Sequence, residues 1–180
     1  VLITHHHYDH TAGISALASS WPRLTIYGPA NVEFVTQPVH EEISIEQLGQ
    51  SFYVFEIPGH TLDHLAYWTP GHLFCGDTLF GAGCGRVFEG ETNTLYHSLL
   101  RLTHLPTDTL IYPAHEYTLN NLAFALHVEP GNTHLALRWQ KEYAKQARGE
   151  ATLPTTLAEE LETNPFLRAH SPEIIDTVCR

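Results

Sequence analysis

The sequence predicts a mixed α/β chain, strand-rich up to residue 117 and helical beyond it, with a cluster of metal-ligand side chains at its start. Three observations carry this. Short β-branched and aromatic runs are each closed by a Pro, Gly or Asp turn up to Pro113-Ala114. From Thr118 onward the texture is that of helices separated by a breaker. The first ten residues, VLITHHHYDH, place four His and Asp ligand types within six positions, directly after an apolar run. The expected units are residues 1–117, an α/β unit that carries the ligand cluster, and residues 118–180, a helical one.

Val1 to Thr4 read as the end of a buried strand, and a helix is expected to begin near Thr11. Leu24–Tyr27, Ser51–Ile57, Leu65–Trp68, His72–Cys75 and Leu110–Tyr112 read as strands. Helices are expected over Leu119–Val128 and Thr133–Arg148, separated by Glu129-Pro130-Gly131-Asn132. A third helix opens on the Thr156 to Glu159 capping box and ends at Asn164-Pro165.

Composition narrows the function. Nine basic against twenty acidic residues give a formal charge of −11, which makes a nucleic-acid backbone a poor partner. No apolar stretch has the length of a membrane span. Three cysteines without C-x-x-C spacing argue against a disulfide framework, so a reducing, cytoplasmic setting is expected; a monomer is the expected state, although no motif bears on it. The absence of Met, even at position 1, and a start inside a strand lead us to expect further strands ahead of Val1.

The chemistry lies in the opening motif. Imidazole and carboxylate ligands suit zinc, iron or manganese. His5 and His7, two apart in extended chain, project the same way and can share one ion. Asp9 and His10 follow a turn and face a second position. Tyr8 and Asp9 interrupt the histidine run and an amphipathic segment follows it, which distinguishes it from a purification tag. His6 alternates away and is expected to point elsewhere. Three more candidates, His60, Asp77 and His115, each stand just past the end of an expected strand, where loops from distant positions converge. Seven ligands suffice for two ions sharing one carboxylate.

The succession H-x-H-x-D-H, P-G-H-T, G-D-T and A-H resembles the metallo-β-lactamase superfamily. The segments LFCGDTLFGAGCGRVFEG (73–90), PAHEYTLNNLAFAL (113–126) and NPFLR (164–168) resemble glyoxalase II, the hydroxyacylglutathione hydrolase family. The resemblance implies an αββα sandwich with its N-terminal strands missing here and a C-terminal helical domain. It implies a first metal site of His5, His7 and His60, a second of Asp9, His10 and His115, and Asp77 bridging, with Asp9 and Asp77 as the catalytic carboxylates. The two divalent ions are expected to be zinc, with iron or manganese as alternatives. The implied reaction hydrolyses S-2-hydroxyacylglutathione thioesters, S-lactoylglutathione giving D-lactate and glutathione in methylglyoxal detoxification, and Arg86 and Tyr117 match positions that contact the tripeptide. Phe88 stands where the family often has tyrosine and is expected only to wall the site. Relatives also carry a basic cluster in a final helix that is not evident before Arg180.

Other features read more plainly. His64 is expected to support a ligand or cap a turn, and Cys84, between two glycines, to be a small residue in a tight turn. Arg138, Lys141, Lys145 and Arg148 recur every three or four positions and read as a solvated helix face. The rival functions are a persulfide dioxygenase-like mono-iron enzyme, against which the F-E-G and H-E-Y-T segments speak, and a non-catalytic metal-binding fragment.

Overall fold

The computed structural model describes residues 1–179. The opening motif does not continue as a strand: Leu2 makes a single bridge to Tyr27, and the chain turns into the short helices α1 (Tyr8–Thr11) and α2 (Ile14–Ser20). The expected helix near Thr11 thus starts three residues earlier and breaks at Gly13. The strand expected over Leu24–Tyr27 shrinks to β1 (Tyr27–Gly28), because its partner β2 (Gln37–Pro38) is equally short.

The main sheet has six strands: β3 (Ser44–Gln47), β4 (Gln50–Glu56), β5 (Leu65–Thr69), β6 (His72–Gly76), β9 (Leu110–Pro113) and β10 (Thr155–Thr156). The first four form an antiparallel meander in that order. β9 then lies parallel to β6, and β10 closes the edge antiparallel to β9. The parallel step requires a crossover, and α3 (Thr92–Leu102) supplies it. That helix is absent from the sequence reading, although Leu95, Leu99 and Leu102 recur at helical spacing; all three bury against Ile57, Leu73, Cys75 and Ile111 on one face of the sheet. Alternation along β5 sends Ala66 to this face and Leu65 and Tyr67 to the other, where they meet Val39, Ile45 and Val54. Between β6 and α3 the chain forms a tight hairpin, β7 (Leu79–Phe80) and β8 (Gly83–Cys84), a two-stranded sheet of its own.

The remaining helices are α4 (Thr118–Val128), α5 (Thr133–Ala147), α6 (Leu157–Thr163) and α7 (Pro172–Val178). Caps set two of their starts: Asn132 accepts from the His134 and Leu135 N–H groups, and Thr156 from the Glu159 N–H. This segment is stitched to the sheet, since it contributes β10 and places Leu157 and Leu167 in the main core.

Glu129 fastens the end of α4 to the chain leading into α7. It accepts from Arg168 at 2.7 and 2.9 Å, from Ser171 at 2.7 Å and from Asn132 at 2.8 Å. The Arg168 hydrogen bond, against the opposing cost of burial, holds its carboxyl at about 2, well below the ordinary 4.5. A depressed carboxyl contributes stability that is complete above pH 4.5 and lost as the pH falls toward 2. Glu129→Gln is therefore expected to lower the unfolding temperature at pH 7 by roughly 8 °C, about 3 kcal/mol for a chain of this size. The gap from wild type should close as the pH drops below 4.5 in parallel thermal melts, and a gap that stays constant would remove the assignment.

Candidate metal centre

All seven sequence-predicted ligands meet at one end of the sheet. His5, His7, Asp9 and His10 come from the opening loop and α1, His60 from the turn after β4, Asp77 from the turn after β6, and His115 from the turn after β9. Their ligand atoms form the groups His5–His7–His60, His5–His10–Asp77 and Asp9–His10–His115, within each of which all atoms lie within 4.8 Å of one another. Asp77 stands between the outer two groups. Its Oδ1 is 3.4 Å from His10 Nε2, and its Oδ2 is 3.5 Å from both His60 Nε2 and His115 Nε2. Asp9 Oδ2 lies 3.4 Å from His10 Nε2 and 3.3 Å from His115 Nε2.

These separations test whether the residues fit a metal. Charge-assisted hydrogen bonds between imidazolium and carboxylate run to about 2.7–2.9 Å, shorter than any of these contacts. The edges of a tetrahedral shell whose ligands stand about 2.0–2.1 Å from zinc are about 3.3–3.4 Å, which matches them. His5 Nε2, His10 Nε2 and Asp77 Oδ1 are moreover buried without a hydrogen-bond partner. Unpaired buried polar atoms are costly, and a cation among them removes that cost. The donor set and its spacing fit divalent metal ions.

Supporting contacts fix the imidazoles. His60 Nδ1 donates to the Arg86 carbonyl at 2.8 Å, which leaves Nε2 with its lone pair, 3.1 Å from His7 Nδ1. Thr4 Oγ1 lies 3.0 Å from His5 Nδ1. His64 is fully buried, stacks on His5 with ring centres 4.6 Å apart, and its Nε2 accepts the Asp77 N–H at 3.1 Å. Burial, helped by neighbouring imidazoles, pushes the His5 pKa far down; burial also lowers His60, and takes His64 to about 3. Neutral imidazoles are the form that binds cations. His6 turns away to Asp63, at 3.0 Å, and Glu89, at 3.3 Å, whose other oxygen accepts the Leu62 N–H.

A cleft of about 440 Å³ opens beside the ligands, lined by His60, Asp77, Phe80, Arg86, Phe88, Tyr117 and Asn121 among others. Tyr117 stacks on His115 with ring centres 5.2 Å apart, and Phe88 stands edge-on to His7 and His60 at 5.6 and 5.2 Å. Arg86 is exposed and makes no ion pair among the described residues.

Two family models match the chain: the metallo-beta-lactamase superfamily over residues 1–115 and the hydroxyacylglutathione hydrolase C-terminus over residues 116–180. The hydroxyacylglutathione hydrolase of Vibrio cholerae serotype O1 is 47% identical over 181 residues, covering 99% of this chain and 72% of its own length. The chain belongs to the hydroxyacylglutathione hydrolase family. Its Dechloromonas aromatica relative is 51% identical over 98% of the chain and 67% of its own length. Among solved structures, that of ETHE1 from Myxococcus xanthus matches with a TM-score of 0.70 at 29% identity, over 98% of this chain and 66% of that one.

Three features of this hydroxyacylglutathione hydrolase family member lie outside the sequence reading. Thr4 and the Arg86 carbonyl act on ligands through contacts that no motif spells out. The basic stripe on α5 is not a uniformly solvated face: Lys141 and Arg148 pair with Glu159 and Glu150, Lys145 pairs with the buried Glu142, and Arg138 is itself buried and bonded to Glu160. The signal for that was available, since α6 carries Glu159 and Glu160, but the period alone does not say which part of a stripe a neighbour covers.

Proposed function

We propose that this chain is a dinuclear metal-dependent thioester hydrolase acting on S-2-hydroxyacylglutathione, S-lactoylglutathione giving D-lactate. In this reading His5, His7 and His60 hold one ion, Asp9, His10 and His115 the other, and Asp77 both, with zinc as the expected metal. The observation that carries it is the gathering of seven ligand-type side chains in overlapping groups whose atoms lie within 4.8 Å of one another, with His5 Nε2, His10 Nε2 and Asp77 Oδ1 buried and unpartnered. Bound there, two divalent ions supply Lewis acidity toward a carbonyl oxygen and nucleophilic water at neutral pH.

The rest falls to the side chains. Asp9 and Asp77 offset part of the dication charge, and Asp77, in contact with both ligand groups, fixes their separation. Thr4 and the Arg86 carbonyl hold His5 and His60 in the tautomer that presents Nε2. Arg86, unpaired at the mouth of the cleft, offers a planar fork to a glutathione carboxylate, which the chain's negative charge would otherwise repel. Tyr117 and Phe88 wall the acyl and peptide portions, and a thiolate leaves without needing a strong general acid.

Metal counted per chain by elemental analysis, together with loss of thioester absorbance on S-lactoylglutathione, tests the reading. Two ions per chain with turnover are expected. One iron with oxygen uptake, or bound metal with no turnover, would overturn it. Arg86→Ala is expected to raise KM roughly 10- to 100-fold with little change in kcat, the pattern of lost ground-state binding. An unchanged KM would remove Arg86 from the substrate site.

A further inference from the structure

We infer that Glu160 on α6 and Asn164 at its C-cap are positioning residues for the metal centre. They hold the β7–β8 hairpin, and through it the carbonyl that orients His60. The inference deepens the hydrolase reading, but its readouts do not depend on a thioester substrate.

The hairpin is too short to stand by itself. Its strands are two residues each, paired Leu79 with Cys84 and Phe80 with Gly83, and its turn holds Ala82 in the left-handed region at φ +54. A two-stranded ribbon is marginal in water even when longer, and a left-handed alanine adds about 1 kcal/mol of strain. Support comes from outside. Asn164 Nδ2 lies 2.9 Å from the Gly83 carbonyl and 3.3 Å from that of Phe80, while Glu160 Oε2 accepts the Ala82 N–H at 2.8 Å. Asn164 and Glu160 are themselves bonded at 2.9 Å and are both fully buried. The buried Arg138 guanidinium, 2.5 Å from Glu160 Oε1 and bonded to Thr155 and Thr163, holds the carboxylate in place. The Ala82 N–H, which lies in the turn outside the two-residue ladder, would otherwise be buried without a partner, and Asn164 gives the Phe80 and Gly83 carbonyls a second donor beyond their pairing with each other.

From the hairpin the connection to the metal ligands is short. Gly85 N–H donates to the Thr78 carbonyl at 3.1 Å, closing the hairpin's base beside Asp77. Arg86 follows, and its carbonyl takes the His60 Nδ1–H, while the Phe88 N–H donates to the His60 carbonyl at 3.2 Å. His60 is thus bracketed by backbone that the hairpin carries. A hairpin freed from Asn164 would let the Arg86 carbonyl drift, and His60 would lose the bond that keeps its Nε2 toward the ions. Outer-shell partners of metal-bound histidines typically matter by 10- to 100-fold in affinity.

The test compares the full chain with Asn164→Ala and with Ile45→Ala, a buried β3 change in a cluster that contains no hairpin residue and none of the seven candidate ligands. Zinc affinity is measured by chelator competition, and the His60 Nδ1 proton is followed by NMR on ¹⁵N-histidine-labelled protein. Asn164→Ala is expected to weaken zinc binding roughly 10-fold or more and to broaden or shift the His60 proton; Ile45→Ala is expected to lower the unfolding temperature and leave both unchanged. Wild-type affinity and an unmoved proton in folded Asn164→Ala would overturn the inference, as would the same losses in Ile45→Ala. Should Asn164→Ala not fold, Asn164→Ser, whose hydroxyl is too short to span to Gly83, is read by the same criteria. Should the wild-type chain bind zinc as described yet fail to hydrolyse the thioester, the hydrolase reading falls and the positioning role stands.

Discussion

Asp77→Ala is expected to reduce bound metal from two ions per chain to less than one, and to cut thioester turnover by on the order of 10³-fold or more. The reason is geometric. Asp77 is the only one of the seven candidate ligands whose carboxylate reaches His10 on one oxygen and His60 and His115 on the other. Removing it takes a shared ligand from both groups at once and leaves a histidine-rich pocket with one carboxylate, Asp9, to offset two dications. A loss confined to one group, such as His115→Ala, should spare part of the metal content. Asp77→Asn separates charge from shape: it preserves an oxygen ligand and the volume but not the negative charge, and should fall between wild type and alanine. Elemental analysis and a thioester assay on the same preparations decide the matter. Full metal content with full activity in Asp77→Ala would sink the bridging assignment.

What the sequence made legible was local. His5 and His7 share a side because extended chain alternates, and His60, Asp77 and His115 were found because each follows a strand that ends in a turn. The strands themselves were readable from β-branched and aromatic content, and β4, β5, β6 and β9 lie within a residue or two of where those runs placed them. The failures have a common cause in tertiary contact. Leu24–Ile26 have strand-like composition but find only a fragmentary partner, so almost no ladder forms. The α3 helix is polar on most of its surface, and only the sheet it covers gives Leu95, Leu99 and Leu102 their meaning. Arg138 looks like its exposed neighbours in the stripe until α6 packs over it. His60's partner is a backbone carbonyl twenty-six residues away, and carbonyls leave no trace in a motif.

Those contacts also explain why glycines flank Cys84 in this tight turn. A Cβ on Gly83 would meet the Asn121 amide at 2.4–2.6 Å, the end of a half-buried side chain that can swing aside. A Cβ on Gly85 would stand 1.8 Å from the Asp77 carbonyl oxygen and 3.2 Å from His60 Nδ1. Neither of these can yield cheaply. The Asp77 carbonyl belongs to the turn that aims the carboxylate proposed to bridge the ions, and His60 Nδ1 is fixed by its bond to Arg86.

Gly85→Ala is therefore expected to push apart the two segments whose apposition defines the centre. Zinc affinity and turnover should each fall on the order of 10²-fold, with an overpacking cost of about 1–3 kcal/mol appearing as a lowered unfolding temperature. Gly83→Ala should do much less, and Gly13→Ala, with nothing within 4 Å of its added carbon, should do nothing to metal binding. The ranking is the informative part, because a general intolerance of the hairpin to substitution would move Gly83 and Gly85 together. Chelator competition and thermal melts on the three variants measure it. Wild-type zinc affinity in Gly85→Ala would mean that the turn after β6 and the strand leading to Arg86 are free to part without disturbing the ligands, so that the site is held by the opening loop rather than by the backbone contact at Gly85.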